Sequence, residues 1–190
     1  MGIVERFAIV DRVAVVTGAS SGIGQSLAIA LADAGADVVC VARREAGLAE
    51  ACKQIEARGR RAAACPFDLG DMEAVADGAD RLGEPFGAPH ILVNAAGIND
   101  RQSAEAVSPA SWRRSIELNL GVPFFLAQAL VPGMMAHGWG RVLNIGSLQS
   151  VRAFPDSVPY GSAKGGVVQL TRAMAEAWSS QGVNCNAIAP

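Results

Sequence analysis

The sequence alternates between short apolar runs rich in β-branched residues and longer segments of helical composition, and this alternation constrains the fold most strongly. The apolar runs are predicted strands at residues 13–17, 38–41, 62–67, 91–93, 141–145 and 183–188. The intervening segments are predicted helices at 23–34, 45–58, 72–82, 108–130 and 158–180. Strands that are apolar on both faces and separated by helices predict a parallel sheet covered by helices on both sides.

The pattern runs through the chain without a repeat, a low-complexity tract or a linker. Its 190 residues, of which 51% are hydrophobic, are enough for one sizeable core. We therefore predict that residues 1–190 form a single Rossmann-like, doubly wound α/β domain with right-handed crossovers.

Charge and hydrophobicity exclude several classes of function. The formal net charge of −2 leaves no basic field for nucleic acid. The most apolar stretch, residues 121–136, is interrupted by two prolines and a glutamine, which argues against a membrane span. Residues 1–11 contain three charged side chains and lack the apolar centre of a signal peptide, so we expect a cytoplasmic protein.

The cysteines and histidines are too scattered to indicate a metal site. No C-x-x-C pair occurs, and each histidine stands alone. We predict structural roles and no bound metal for Cys40, Cys52, Cys65, Cys185, His90 and His137.

A glycine-rich turn, Thr17–Gly24, follows the first predicted strand and opens the first helix. Gly18 allows a sharp turn, while Gly22 and Gly24 permit close approach of a ligand and close packing of helix on strand. The amides of the helix N-terminus would then face a pyrophosphate. The alternative is a tight turn that binds no ligand, but the strand–turn–helix setting favours dinucleotide binding.

The end of the second strand indicates which dinucleotide is bound. An acidic residue there would bind the ribose 2′-hydroxyl of NAD, whereas this chain has Arg43 and Arg44. Arginine suits a 2′-phosphate, so we favour NADP(H) over NAD(H). Both arginines could instead be ordinary solvated charges, as we predict for the later basic run Arg58, Arg60 and Arg61.

Tyr160 and Lys164 are four residues apart in a predicted helix, which places both side chains on one face. A lysine ammonium beside a phenol favours the phenolate, as proton transfer near neutral pH requires. By itself the pair is common in helices and indicates little, so its meaning depends on the other motifs.

Together the motifs resemble one family. The glycine-rich turn Thr17–Gly24, the segment Asn94–Gly97, Asn119, Ser147 and the Tyr160–Lys164 pair occur in that order on an alternating β/α chain. This combination resembles the single-domain branch of the short-chain dehydrogenase/reductase family over nearly the entire chain. The implied activity is NADP(H)-dependent interconversion of a secondary alcohol and a ketone.

The resemblance implies a role for each catalytic candidate. Tyr160 would exchange a proton with the substrate oxygen. Lys164 would favour the phenolate and hold the nicotinamide ribose, and Ser147 would hydrogen-bond the substrate oxygen. Asn119 would lie where the helix 108–130 is locally disturbed, and would hold a water that links Lys164 to solvent.

The resemblance also implies the binding residues. Asn94–Gly97 would brace the sheet and face the adenosine, although the family more often has a second asparagine in place of Ala95. The implied cofactor contacts are Gly18, Ser20, Ser21, Gly22, Ile23, Gly24, Arg43, Arg44, Asp68, Leu69, Asn94, Ala95, Gly97, Tyr160, Lys164 and Pro190. The implied substrate contacts are Ser147, Gln149, Phe154 and Tyr160.

The substrate is less determined than the reaction. Residues 153–160 and 173–178 look most like gluconate-type sugar-acid dehydrogenases and nearly as similar to 3-oxoacyl-acyl-carrier-protein reductases. A non-catalytic dinucleotide-binding scaffold is a third hypothesis, against which the intact set Ser147, Tyr160 and Lys164 argues.

The two long helices predict an assembly. They carry more apolar side chains than one sheet face needs, among them Phe124, Phe125, Leu126 and Leu170. The resemblance implies pairing of these helices into a homodimer or homotetramer, and the alternative is burial within one subunit.

The sequence stops at residues 186–190, where the resemblance implies a substrate-covering loop, further helices and a seventh strand. Either the polypeptide is truncated there or it continues. We favour continuation, because a sheet that ends at residues 183–188 leaves an unpaired edge. An intact mass of 19.6 kDa would contradict this expectation.

Overall fold

The chain forms one parallel sheet with helices on both faces, as the alternation predicts. A computed structural model describes residues 7–190, apart from the side chains of residues 76 and 77. The N-terminal residues 1–6, part of the segment without a signal-peptide pattern, lie outside this range. Within the described residues the sheet has six strands in the order β3-β2-β1-β4-β5-β6. The strands are β1 Val13–Thr17, β2 Asp37–Ala42, β3 Ala62–Pro66, β4 Ile91–Asn94, β5 Gly140–Ile145 and β6 Val183–Ile188.

The helices follow the predicted order with small shifts at their ends. They are α1 Gly22–Asp33, α2 Glu45–Glu56, α3 Met72–Gly78, α4 Pro109–Ile116, α5 Val122–Ala136 and α6 Val158–Trp178. A π-helical turn, Glu117–Gly121, joins α4 to α5, so the long helix predicted at 108–130 is continuous but disturbed and extends six residues further. The predicted helix 72–82 divides into α3 and a 3₁₀ turn, Ala79–Leu82.

Local capping explains two of the helix starts. The side chain of Ser108 accepts a hydrogen bond from the amide of Ser111, and Pro109 occupies the first turn of α4. Asp71 likewise accepts from the amides of Glu73 and Ala74 at the start of α3. Both caps are local features, because capping depends on neighbours three residues apart or fewer.

Each face of the sheet has its own apolar core. One core joins sheet residues such as Val15 and Val39 to α5 and α6, and contains Leu126 and Met174. The other joins the opposite face to α1 and α2 through Ala28, Leu48 and Ile55. The prediction that Leu126 is surplus to the subunit core is therefore wrong, since this side chain is fully buried against the sheet.

The continuous helical segment Pro109–Ala136 is long and apolar enough to cross a membrane by length and composition alone. In this fold its apolar side chains cover the sheet, with Leu126, Ala127 and Met134 fully buried. Its hydrophobicity is therefore that of a core helix.

The strand order places a crevice at one edge of the sheet. The chain proceeds outwards from β1 to β3 and then returns to place β4 on the other side of β1. The crossovers from β1 and from β4 therefore leave in opposite directions. In such sheets ligands bind outside the carboxyl ends of the strands at this switch point.

Candidate active site

The glycine-rich turn after β1 is built from three glycines with different constraints. Gly18 has a φ of +70°, and a Cβ there would lie 2.9 Å from the backbone nitrogen of Ala96. A Cβ on Gly24 would collide with the carbonyl group of Gly18. Gly22 has a φ of +57° and has no neighbour among the described residues within 4 Å of its missing Cβ. Gly18 and Gly24 therefore allow the close backbone contacts of the turn, while Gly22 leaves open space beside it.

The first turn of α1 faces a groove of about 770 Å³. The N-cap residue of α1, Ser21, makes no side-chain capping bond within the described structure. The amides at this helix end thus remain available to an anion, which the helix dipole also favours. The groove is lined by Gly18, Ser20, Ser21, Ile23, Gly24, Arg43, Arg44, Asp68, Leu69, Ala95 and Gly97, together with neighbouring residues.

Arg44 is already held at the mouth of this groove. Its Nη2 donates to Ser21 Oγ at 2.6 Å and to Ser20 Oγ at 3.4 Å. Arg43 lines the same groove, so two arginines and two serines lie beside it near the end of β2. This donor set matches a phosphate group, because guanidinium and hydroxyl groups both donate to its oxygens.

The open space at Gly22 gives a direct test of the groove. We expect Gly22→Ala to weaken dinucleotide binding by about tenfold or more, because Gly22 stands between the groove-lining residues Ser21 and Ile23, and a methyl group there would crowd a pyrophosphate at the first turn of α1. Gly59→Ala is the matched control, since Gly59 also has a positive φ, +74°, and an open Cβ position outside the groove. Fluorescence titration with NADPH measures both variants, and equal affinities would contradict the assignment.

The candidate catalytic residues meet in a second cavity of about 280 Å³. Ser147, Tyr160, Lys164 and Pro190 line it. Ile23, Ala95 and Gly97 line both this cavity and the larger groove, so the two spaces adjoin. Residues from β5, α6 and the turn after β4 thus converge beside the glycine-rich turn.

Lys164 is buried on the inner face of α6 and points towards the end of β5. Its Nζ donates to the carbonyl oxygen of Ile145 at 2.6 Å and lies 5.7 Å from the centre of the Tyr160 ring. Burial lowers the pKa of Lys164 from its ordinary 10.5 to about 8. The side chain therefore remains mostly cationic near neutral pH and can stabilise a negative charge on the neighbouring phenol.

Ser147 is oriented by the turn that follows β5. Its Oγ accepts a hydrogen bond from the amide of Gln149 at 3.1 Å, and its own amide donates to Ser150 Oγ at 3.1 Å. Because the amide of Gln149 occupies the acceptor side of the hydroxyl, the O–H is left to donate. A donor in this cavity is what a substrate carbonyl oxygen requires.

Asn119 lies in the π-helical turn, where the disturbed helix was predicted. Its side chain is fully used: Nδ2 donates to the carbonyl oxygens of Ile98 and Ser115 at 2.9 Å each, and Oδ1 accepts from the amide of Ile98 at 3.2 Å. A Cβ on Gly97 would lie 2.6 Å from Asn119 Oδ1. Asn119 therefore fastens the turn after β4 onto the helix, directly beside Lys164.

Four predicted contacts lie outside the linings of both cavities. Gly22 stands between Ser21 and Ile23, which line the larger groove. Asn94 is buried within the sheet, where its Nδ2 donates to Asn144 Oδ1 at 2.9 Å. Gln149 lies behind Ser147 against the first turn of α6, and Phe154 is 37% exposed beneath the guanidinium of Arg152. The fold brings the remaining predicted residues to the groove or cavity, or next to them.

Thr17 is a site residue to which the sequence assigned no role. Its buried hydroxyl donates to the carbonyl oxygen of Val93 at 3.3 Å and accepts from the amides of Ala95 and Ala96 at 3.0 and 3.1 Å. It thus joins the glycine-rich turn to the turn after β4. The sequence feature that could have indicated this role is a hydroxyl at the end of the otherwise apolar strand β1.

The lowered pKa of Lys164 predicts how its contribution to stability depends on pH. Between pH 8 and 10.5 the unfolded chain keeps a proton on Lys164 that the folded chain has released, so raising the pH favours folding. The unfolding free energy of the wild type minus that of Lys164→Met should rise by about 3 kcal/mol across this window. The contribution is complete above pH 10.5 and lost as the pH falls through 8.

Denaturant titrations of both proteins at several pH values measure this difference. Other groups, such as Cys185, whose pKa burial raises to about 11, cancel in the subtraction. A difference that does not change with pH would contradict the burial of Lys164.

Comparisons with known proteins agree on one family. A family model described as short chain dehydrogenase matches residues 12–190. Gluconate 5-dehydrogenase of Gluconobacter oxydans is 40% identical over 177 residues, which are 93% of this chain and 69% of that protein. A 3-oxoacyl-acyl-carrier-protein reductase of Pseudomonas aeruginosa is 34% identical over 179 residues, which are 94% of this chain and 72% of that protein.

Solved structures give the same result. A gluconate 5-dehydrogenase from Burkholderia cenocepacia, in complex with NADP and tartrate, superimposes with a TM-score of 0.92 at 36% identity, covering 100% of this chain and 74% of that one. Carveol dehydrogenase from Mycobacterium avium, in complex with NAD, superimposes with a TM-score of 0.89 at 28% identity, covering 96% and 71%.

Proposed function

The chain belongs to the short-chain dehydrogenase family of oxidoreductases, and on that premise we propose that it interconverts a secondary alcohol and a ketone with NADP(H). The observation that carries the proposal is the meeting of Ser147, Tyr160 and Lys164 in one cavity that adjoins the groove beside the glycine-rich turn. Residues 1–190 would then form one domain that both binds the cofactor and carries the catalytic site.

The proposed proton transfer uses three side chains. Tyr160 gives a proton to the substrate oxygen during reduction and takes it back during oxidation. Lys164 is a buried cation on the same helix face, and its charge stabilises the phenolate that forms when Tyr160 gives up its proton. Ser147 donates its O–H to the same substrate oxygen and so stabilises the charge that develops there.

The residues of the groove fit a dinucleotide. The turn Gly18–Gly24 and the free amides of α1 would hold its pyrophosphate, and Asp68 and Leu69 would contact its adenine. Bound in this way, the nicotinamide would supply the hydride in reduction and accept it in oxidation, which no side chain of the protein can do. The chain contributes orientation, because it holds the reacting carbon of the substrate beside Ser147 and Tyr160.

Arg43 and Arg44 support a preference for NADP(H) over NAD(H). Both line the groove at the end of β2, and Arg44 is pre-positioned by Ser20 and Ser21. A pre-positioned guanidinium loses less side-chain entropy when it binds a phosphate, which raises affinity. The solved relatives include proteins with each cofactor bound, so the preference must come from these residues of this chain.

We place the substrate among sugar acids of the gluconate type. A gluconate 5-dehydrogenase is 40% identical to this chain, against 34% for a 3-oxoacyl-acyl-carrier-protein reductase, which is the alternative. A panel of gluconate-like acids and acetoacetyl thioesters, each with NADP(H) and NAD(H), distinguishes them. Turnover of the thioester alone would favour the alternative, while binding of NADPH without turnover would favour a non-catalytic scaffold.

We propose that the protein acts in the cytoplasm as a homodimer or homotetramer paired through α4, α5 and α6. Trp112, Phe125 and Val158 on these helices are 40%, 39% and 46% exposed, although each is large and apolar. Phe124 and Leu170, also predicted as surplus, are partly buried against the core and contribute less. Light scattering of the wild type and of Phe125→Asp tests the assembly, and a monomeric wild type would overturn it.

A further inference from the structure

A buried series of hydrogen bonds between polar side chains joins strands β4 and β5 to helix α6, which carries Tyr160 and Lys164. Asn94 on β4 and Asn144 on β5 are direct neighbours in the strand register, and Asn94 Nδ2 donates to Asn144 Oδ1 at 2.9 Å. Asn144 Nδ2 donates to Thr171 Oγ1 on α6 at 2.9 Å, and Thr171 Oγ1 donates to the carbonyl oxygen of Val167 at 2.7 Å. The three side chains are 4%, 1% and 7% exposed.

Each hydrogen bond in this series fixes the direction of the next one. The hydroxyl of Thr171 donates its only proton to the carbonyl oxygen of Val167, so its oxygen can only accept from Asn144. Asn144 must then present its amide nitrogen to α6 and its oxygen to Asn94. A buried amide that lost its partner would keep the full desolvation penalty, so the series resists any sliding of α6 along the sheet.

The three hydrogen-bonded side chains lie close in sequence to the segments that carry the catalytic candidates. Asn94 immediately precedes the turn that lines both cavities, and it also donates to the carbonyl oxygen of Pro123, four residues after Asn119. Asn144 is three residues before Ser147, and its neighbour Ile145 provides the carbonyl group that binds Lys164 Nζ. Thr171 lies two turns after Lys164 on the buried face of α6.

We propose that Asn144 and Thr171, supported by Asn94, are positioning residues that hold α6 at the depth where Lys164 reaches Ile145 and Tyr160 faces Ser147. They contact neither substrate nor cofactor and act only through the placement of the helix. The inference rests on the proposed function, because it assigns catalysis to Ser147, Tyr160 and Lys164.

Two substitutions at one position separate the hydroxyl from the shape of the side chain. Thr171→Val keeps the branched shape but removes the acceptor and leaves the Asn144 amide buried without a partner. Thr171→Ser keeps the hydroxyl and loses only a methyl group. We expect Thr171→Val to lower kcat by about tenfold, because small displacements of catalytic groups are costly, and Thr171→Ser to retain most activity. NADPH affinity should change little in either variant, since Thr171 lies outside the groove and most of the implied cofactor contacts do not lie on α6.

A second readout does not depend on turnover. The chain has only two lysines, Lys53 and Lys164, so ¹³C-lysine labelling gives one signal from the site and one from an exposed internal reference. In the wild type Lys164 should titrate near its lowered pKa of about 8, and in Thr171→Val it should move towards 10.5 as the helix loosens and water enters. Thr171→Ser should titrate like the wild type.

The outcomes separate the two proposals. If Thr171→Val matches the wild type in kcat and in the Lys164 titration, the positioning role is wrong. If the wild type turns over no substrate while Thr171→Val still shifts the Lys164 titration, the proposed function fails and the positioning role stands. Should Thr171→Val not fold, Thr171→Ala replaces it, because the smaller side chain leaves room for a water at the Asn144 amide, and the same two measurements decide.

Discussion

Replacement of Tyr160 by phenylalanine is expected to lower kcat by about 10²–10⁴-fold, which is the usual contribution of a positioned general acid or base. Tyr160 is the only tyrosine among the 190 residues. The substitution removes one oxygen and keeps the ring that lies beside Lys164. NADPH binding should be largely retained, because Tyr160 is one of many implied cofactor contacts and the groove for the dinucleotide is lined by other residues.

Steady-state kinetics with the acid or thioester that the panel identifies measures kcat, and fluorescence titration measures the affinity for NADPH. Ser147→Ala serves as the comparison, because it removes a hydrogen bond to the substrate oxygen and leaves Tyr160 in place. Equal turnover by Tyr160→Phe and the wild type would refute the assignment of Tyr160 as the proton donor. Loss of NADPH binding in the variant would show instead that the substitution damages the site.

Reversal of the charge at Arg43 is expected to weaken NADPH binding by about two orders of magnitude and to move preference towards NADH. One charge-assisted hydrogen bond contributes about 1.5–3 kcal/mol, and Arg43→Asp also places a carboxylate beside the 2′-phosphate. The same carboxylate can accept a hydrogen bond from the 2′-hydroxyl of NADH. Arg44, held by Ser20 and Ser21, keeps its place in the variant.

Lys53→Asp is the matched control for this experiment. It makes the same change of net charge at an exposed position on α2 outside the groove. Titrations of both variants with NADPH and NADH at one ionic strength separate local recognition from the overall charge of the protein. An unchanged ratio of the two affinities in Arg43→Asp would remove the basis for the NADP(H) preference.

Short-range features were predictable from the sequence because their causes are local. The caps at Asp71 and Ser108, the helix starts and the six strands follow from composition and from neighbours a few residues apart. The disturbance of the helix near Asn119 came from the family resemblance, since no propensity in that segment indicates a π turn. The family match confirmed the predicted family, and the observed six-stranded sheet confirmed the predicted fold.

Ion pairs between residues that are distant in sequence could not be predicted from the sequence. Arg60 and Arg61, predicted to be solvated charges, both bind the buried carboxylate of Asp37 at the start of β2. Burial would raise the pKa of Asp37, but the hydrogen bonds donated by Arg61 and the charges of Arg60 and Arg61 lower it on balance. The error has a physical cause, because 24 residues separate Asp37 from Arg61 and only the pairing of β2 with β3 brings them together.

By itself, the sequence determined the doubly wound sheet and the glycine-rich turn, because each depends on residue type and short spacing. The candidate catalytic residues were identified through the family resemblance of the ordered motifs. Only the tertiary structure decided how those residues are held. It placed Gln149 behind Ser147, so that the hydroxyl is left to donate, and it buried Lys164 against Ile145, which lowers the pKa of the amine. It also connected β4, β5 and α6 through Asn94, Asn144 and Thr171. These contacts join segments that are distant in sequence, and their energies come from burial, which exists only after the sheet and its helices have packed.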